Sequence, residues 1–193
     1  RGRIGRLLIA LGALPQFSLG IGIDEDTTAV CRGDTIDVLG NSGVLVVDVA
    51  AARDAGNFSW SAAGGLRATG IVLHYLEEGD RFDLVRREPL PLPERQPVEK
   101  GKEANGDYPL ETNLFAPDAL RHLLVDGMAE NQKGEASGIA FTLDSEGRGT
   151  GSRWTLRKSG RFAGLYAGIR DVDTYSVTYV SLDIEPIALH VTN

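Results

Sequence analysis

Cysteine is almost missing from this 193-residue chain, where Cys31 stands alone. One thiol excludes an internal disulfide and a cysteine-rich metal site, and it favours a reducing, cytoplasmic compartment. No apolar run approaches the roughly 20 residues of a membrane span. Basic charge is short as well: 20 Lys and Arg stand against 27 Asp and Glu, a formal net charge of -7. Nucleic acid needs a concentrated basic face, so that partner is excluded. There is no Gly-x-Ser-x-Gly, hence no nucleophile elbow. An initiator methionine and a signal-peptide pattern are lacking too. The chain opens on Arg1-Gly2-Arg3-Ile4-Gly5-Arg6, inside what reads as a helix, and a cut or truncated polypeptide is therefore expected.

What is present suits a packed core. Hydrophobic residues make up 42% and charged residues 24%, enough for one domain or one domain with an appended layer. Ile4, Leu7, Leu8 and Leu11 fall on one helix face, with Arg3 and Arg6 on its flank and Pro15 ending it. Leu19-Gly20-Ile21-Gly22-Ile23 is apolar without alternation, as in a parallel strand buried on both faces. The acidic triplet Asp24-Glu25-Asp26 sits at its carboxyl end.

Three short strands follow, at 27–31, 35–39 and 44–49, forming an antiparallel meander around the turns at Gly33 and Asn41. Residues 51–68 read as a Gly/Ala-rich loop, and 71–76 and 82–85 as strands. Prolines and then charges mark 89–113 as a linker. A helix is expected over 117–128, with Leu120, Leu123 and Leu124 inward. Strands are expected at 139–143, 153–156 and 175–184, the last with period-2 alternation. No internal repeat is apparent.

The arginine trio offers planar, multiply donating groups suited to carboxylates. The same spacing also suits a solvated helix flank. Carboxylates beyond a strand's carboxyl end can orient a histidine, hold a metal or grip a cationic substrate; a polar turn is the plainer alternative. A metal would want convergent ligands that the local sequence does not supply. Ser42 reads as a hairpin residue and His74 as a core or edge histidine. His122 and His190 have no acid or nucleophile at suggestive spacing. Asp171 and Asp173 are only a fragment of a calcium loop. The Gly64-Gly65 and Gly147–Gly149 segments do not follow buried strands, as a phosphate cradle requires.

The order of these features is specific. Arg1-x-Arg3-x-x-Arg6-Leu7-Leu8, then about ten residues, then residues 19–27, resembles the cyanophycinases of peptidase family S51. The Gly33-Asp34 turn and the 40–48 segment are similar to that family too. The resemblance is close over 1–86 and looser over 107–185, where it is to the extra C-terminal part of longer members. It implies that Glu25 is the acid of a Ser-His-Glu triad and that Arg1, Arg3 and Arg6 line the substrate site. Asp24 and Asp26 would meet guanidinium groups. The family's His would fall just upstream of Arg1 and its Ser further upstream.

The implied activity is a serine-type exopeptidase that hydrolyses aspartyl bonds of cyanophycin, a polyaspartate bearing arginine, without metal or organic cofactor. The missing upstream α/β half would come as a separate chain or cleaved segment, and a homo-oligomer is expected. An aspartyl dipeptidase of the same family and a non-catalytic binding module stay open. The fold expected is α/β: the C-terminal half of a doubly wound, flavodoxin-like sheet with an antiparallel meander (1–88), a linker (89–113) and a β-rich extension (114–193). Such a chain is not expected to be a stable domain without a second polypeptide packed on residues 1–50.

Overall fold

The amphipathic spacing at the start of the chain forms the longest α-helix of the structure, a computed structural model that describes residues 3–62, 64–98 and 105–190. This helix, α1 (Ile4–Ala13), buries Ile4, Leu8 and Leu11 against the main sheet. It packs over β1 (Leu19–Ile23). A Cβ on Gly20 would stand 2.9 Å from the Leu7 side chain and 3.1 Å from that of Leu11, so glycine lets helix and strand approach. β2 (Thr27–Arg32) and β3 (Thr35–Gly40) form a hairpin. β4 (Val44–Asp48) then returns beneath α1 beside β1, and a short α2 (Ala50–Asp54) leads to β5 (Phe58–Ser61) and β6 (Gly65–Leu76).

The remaining elements are β7 (Arg81–Asp83), β8 (Glu88–Leu90), β9 (Gln96–Pro97), α3 (Ala119–Leu124), β10 (Glu135–Leu143), β11 (Arg148–Ile169) and β12 (Val172–His190). The main sheet runs β1-β4-β6-β12-β11-β10, with β5 paired to β6 and β9 to β11. A smaller sheet, β2-β3-β7-β8, covers the other face of β4 and β6. Strands from both halves of the chain thus share one sheet, since β12 is hydrogen-bonded to β6. Among the described residues no helix is long and apolar enough to cross a membrane.

Several expectations from the sequence need correction. The fold is sheet-rich, with few helices, and its named strands pair antiparallel rather than as a parallel, doubly wound sheet. The strand buried on both faces is β4, whose Leu45 and Val47 enter one core and Val44 and Val46 the other. β1 ends the strand order instead, and its Ile23 is 53% exposed. Two glycines in five residues gave β1 the apolar look of a buried strand without the side chains to fill both faces.

Residues 51–68 hold α2, β5 and the start of β6 rather than a loop. The Asp48 carboxylate accepts the Ala50 N–H at 2.8 Å and so starts α2. The helix expected over 117–128 is shorter: α3 begins after Asp118, held at φ 60, and widens into a π turn over Val125–Ala129. The fragmentary C-terminal strands are one long hairpin, turned at Arg170 and Asp171, both with positive φ.

Candidate active site

β1 delivers its carboxyl end, and with it the acidic triplet, to the margin of the main sheet. The Asp24 N–H donates to the Gly43 carbonyl at 3.1 Å, and the Asn41 N–H to the Asp26 carbonyl at 3.0 Å. The Ser42 N–H donates to Thr27 Oγ1 at 3.1 Å. The acidic turn is therefore stapled to the Asn41–Gly43 turn, which accounts for Ser42 as a hairpin residue. Asp26 takes φ 55, a left-handed conformation that Asp tolerates better than most residues. Glu25 and Asp26 are exposed, while Asp24 is half-buried.

Asp24 lines a cleft of about 60 Å³ together with Ile4, Leu45, Tyr75, Asp118 and Arg121. Ile4 directly follows Arg3, so the head of α1 and the end of β1 meet there. Arg3 and Arg6 are both exposed at that end of the helix. Arg1 lies outside the described residues. The structure thus brings Asp24 and Ile4, at the head of α1, to one cleft, with Glu25 and Asp26 following Asp24 in the turn.

The opposite wall was not legible in sequence. Arg121, on α3, donates through Nε to Glu77 at 2.9 Å, and its guanidinium lies 5.8 Å from the centre of the Tyr175 ring. The other Glu77 oxygen accepts the Tyr175 N–H at 2.7 Å. Tyr75 is 2% exposed, and its hydroxyl has no hydrogen-bond partner among the described residues. Burial first, and then the Glu77 carboxylate, pushes that hydroxyl's pKa upward, so it remains a neutral O–H. A buried tyrosine beside an apolar strand carries no signal of this kind before the partners across 40 or more residues are known.

β6 alternates, so Tyr75 faces this cleft while His74 faces the smaller sheet. His74 Nδ1 accepts the Tyr179 N–H at 3.3 Å, and its ring meets the Tyr179 ring edge-on at 4.7 Å. Burial lowers its pKa to about 4, and the imidazole is neutral at ordinary pH. It behaves as a core histidine, as its sequence context implied. His122 is exposed on α3. Among the described residues no group of three His, Cys, Asp or Glu side chains is placed to hold a metal.

No family model matches the chain. Among curated proteins, a cyanophycinase of Trichormus variabilis is 42% identical over 96 residues, covering 49% of this chain and 32% of that protein. A cyanophycinase of a Nostoc species matches to the same extent. One from Geminocystis herdmanii is 40% identical over 91 residues, 47% of this chain and 33% of that protein. The chain spans about a third of the length of the curated relatives it matches.

Proposed function

We propose that this chain, cyanophycinase-like over about half its length, is part of a serine-type exopeptidase that hydrolyses the aspartyl peptide bonds of cyanophycin to β-Asp-Arg dipeptides. The serine and histidine come, on this reading, from a partner segment or chain outside these 193 residues. That the matched relatives are about three times longer than the matched stretch is consistent with such a partner. The segment would hold the doubly wound, flavodoxin-like half of the sheet and lie beside β1, which ends the strand order among the described residues. Residues 1–88 would then complete the peptidase domain, with 89–113 as linker and 114–193 as an extension.

One observation carries the reading: an exposed carboxylate, Glu25, stands in a stapled turn at the carboxyl end of β1, next in sequence to Asp24, which shares a cleft with Ile4 at the head of α1. In acyl transfer by a Ser-His-acid triad, the acid accepts the histidine Nδ1–H, fixes its tautomer and stabilises the imidazolium. Glu25 is assigned that role. Arg3 and Arg6, with Arg1, would hold substrate carboxylates through paired N–H donors, and Asp24 and Asp26 would face guanidinium groups.

The test is chemical. The chain assembled with its serine- and histidine-bearing partner should release β-Asp-Arg from cyanophycin and lose that activity to a serine-directed fluorophosphonate. No dipeptide release, or release indifferent to the reagent, overturns the reading.

A further inference from the structure

A second cleft, of about 480 Å³, opens on the His74 side of β6, bordered by Asp48, His74, Arg86, Arg87, Arg161 and Tyr179. The sheet gives up its regularity there. Four residues of β11, 159–162, face Tyr179 alone on β12, because pairing passes from Lys158–Val180 to Ala163–Thr178. On its other side β12 sets Thr178 and Tyr179 against His74 of β6, so both ladders bulge at one place. Tyr179 takes φ 56, a costly conformation for an aromatic residue, and Arg87 takes φ 58. Side chains hold the bulge: the Tyr179 N–H donates to His74 Nδ1 at 3.3 Å, and Ser159 Oγ donates to the Tyr179 carbonyl at 2.6 Å. Backbone strain fixed in this way at the edge of a cleft points to a binding site.

The groups at this cleft are mostly donors. His74 accepts at Nδ1, so its neutral ring carries the proton on Nε2. Arg87 is fixed, with Nη1 on Asp48 and Nη2 on Ser18 Oγ, each at 2.8 Å. The other two guanidiniums are held loosely. Arg86 meets Asp83 at 3.3 Å and Arg161 meets Glu88 at 3.2 Å, longer than the roughly 2.7–2.9 Å of a good charge-assisted bond. Their side chains are 77% and 65% exposed, and ion pairs so exposed contribute little. Arg161 stays at the cleft because it lies 4.0 Å over the Tyr179 ring and donates to its hydroxyl at 2.6 Å.

The balance of charge narrows the class. Each guanidinium already has a carboxylate, Asp48 within the cleft and Asp83 and Glu88 behind it. A monocarboxylate ligand would exchange one such partner for another and gain little. A phosphoryl group brings close to two charges and three acceptor oxygens in one compact unit, enough to bridge guanidiniums and an imidazole N–H together. The cleft holds about 480 Å³, against roughly 10–15 Å³ for one water, so there is room for more than a single phosphate.

We propose that this cleft binds a phosphate-bearing small molecule, whose phosphoryl group is gripped by Arg86 and Arg161 around the fixed Arg87. Arg86 and Arg87 come from the first part of the chain, and Arg161 and Tyr179 from the β11–β12 hairpin. The site therefore exists only where the two parts meet. It goes beyond the peptidase reading and does not rest on it.

The test titrates the assembled protein with pyrophosphate, inorganic phosphate and succinate (a dianion whose charges sit on two separate carboxylates), with binding read by calorimetry. Pyrophosphate should bind at least about tenfold more tightly than succinate. Arg161→Gln and Arg86→Gln should each weaken pyrophosphate about fivefold to tenfold, and Arg161→Lys, which keeps the charge and loses the fork, less. All three changes are at exposed side chains, so melting temperatures should hold. Arg32→Gln, on the β2–β3 hairpin, removes the same charge away from the cleft and should leave affinity unchanged. Pyrophosphate should also move the ring resonances of His74 in a nitrogen-15 NMR spectrum. Equal binding of pyrophosphate and succinate overturns the proposal. So does an affinity that neither Arg161→Gln nor Arg86→Gln alters, or that Arg32→Gln lowers as much as they do. None of these readouts involves dipeptide release from cyanophycin, so the peptidase reading stands or falls separately.

Discussion

Arg95 and Arg121 each meet a carboxylate from the β6–β7 region, yet the two pairs are built differently. Arg95 and Asp80 are both 0% exposed, with Nε to Oδ1 at 2.7 Å. Asp80 accepts three further bonds, from the Leu92 and Glu77 N–H groups and the Ser176 hydroxyl. Arg95 spends its other donors on Thr174 and on the Glu78 carbonyl. That network is saturated and ties β12 to the loop after β8. The Arg121–Glu77 pair is 30% exposed on its arginine side and borders the cleft lined by Tyr75. A buried ion pair with every group satisfied holds a fold together, whereas one at the margin of a cleft is partly solvated and contributes less.

The strongest way to sharpen this contrast is to break the saturated pair. Asp80→Ala leaves the Arg95 guanidinium buried and uncompensated, which should cost about 3–5 kcal/mol of stability. Chemical unfolding of the assembled protein measures it. A loss below about 1 kcal/mol would mean that the network is not structural.

The next effect is read as a pH profile. His74, neutral through burial, titrates near 4 in the folded chain against 6.5 unfolded. The unfolded state therefore binds a proton first as pH falls, and stability drops between about 6.5 and 4 by up to about 3 kcal/mol. His74→Asn keeps an acceptor for Tyr179 and should flatten that part of the slope. An unaltered slope would place the acid sensitivity elsewhere.

The smallest effects belong to the exposed arginines. Arg3→Lys or Arg6→Lys keeps the charge and loses the paired donors, and KM for cyanophycin should rise about threefold to tenfold with kcat less affected. A change in melting temperature with unchanged kinetics would make them structural.

How much of this was legible in the sequence follows the range of the interactions. α1 was readable from Ile4, Leu7, Leu8 and Leu11 because its signal lies within three turns. The acidic turn was readable because a strand and its end are contiguous. β1 was misread because sequence shows apolarity and not which neighbours supply it, and the doubly buried strand turned out to be β4. The length of β11 was hidden by glycines that look like turns. One of them, Gly164, is a close approach in which a Cβ would stand 2.9 Å from the Ala129 backbone. The cleft's far wall was illegible for the same reason: Arg121 reaches Glu77 across 44 residues. Asp80 and Arg95, set in a turn and a proline-rich stretch, gave no sign that their side chains are fully buried.

The most direct measurement is turnover of cyanophycin by the assembled enzyme carrying Glu25→Gln. The substitution removes a charge and leaves the volume, at an exposed turn, so folding should be unchanged. If Glu25 orients and stabilises the histidine, kcat falls by about three to four orders of magnitude. Wild-type turnover in a folded Glu25→Gln enzyme would remove Glu25 from the mechanism and contradict the account.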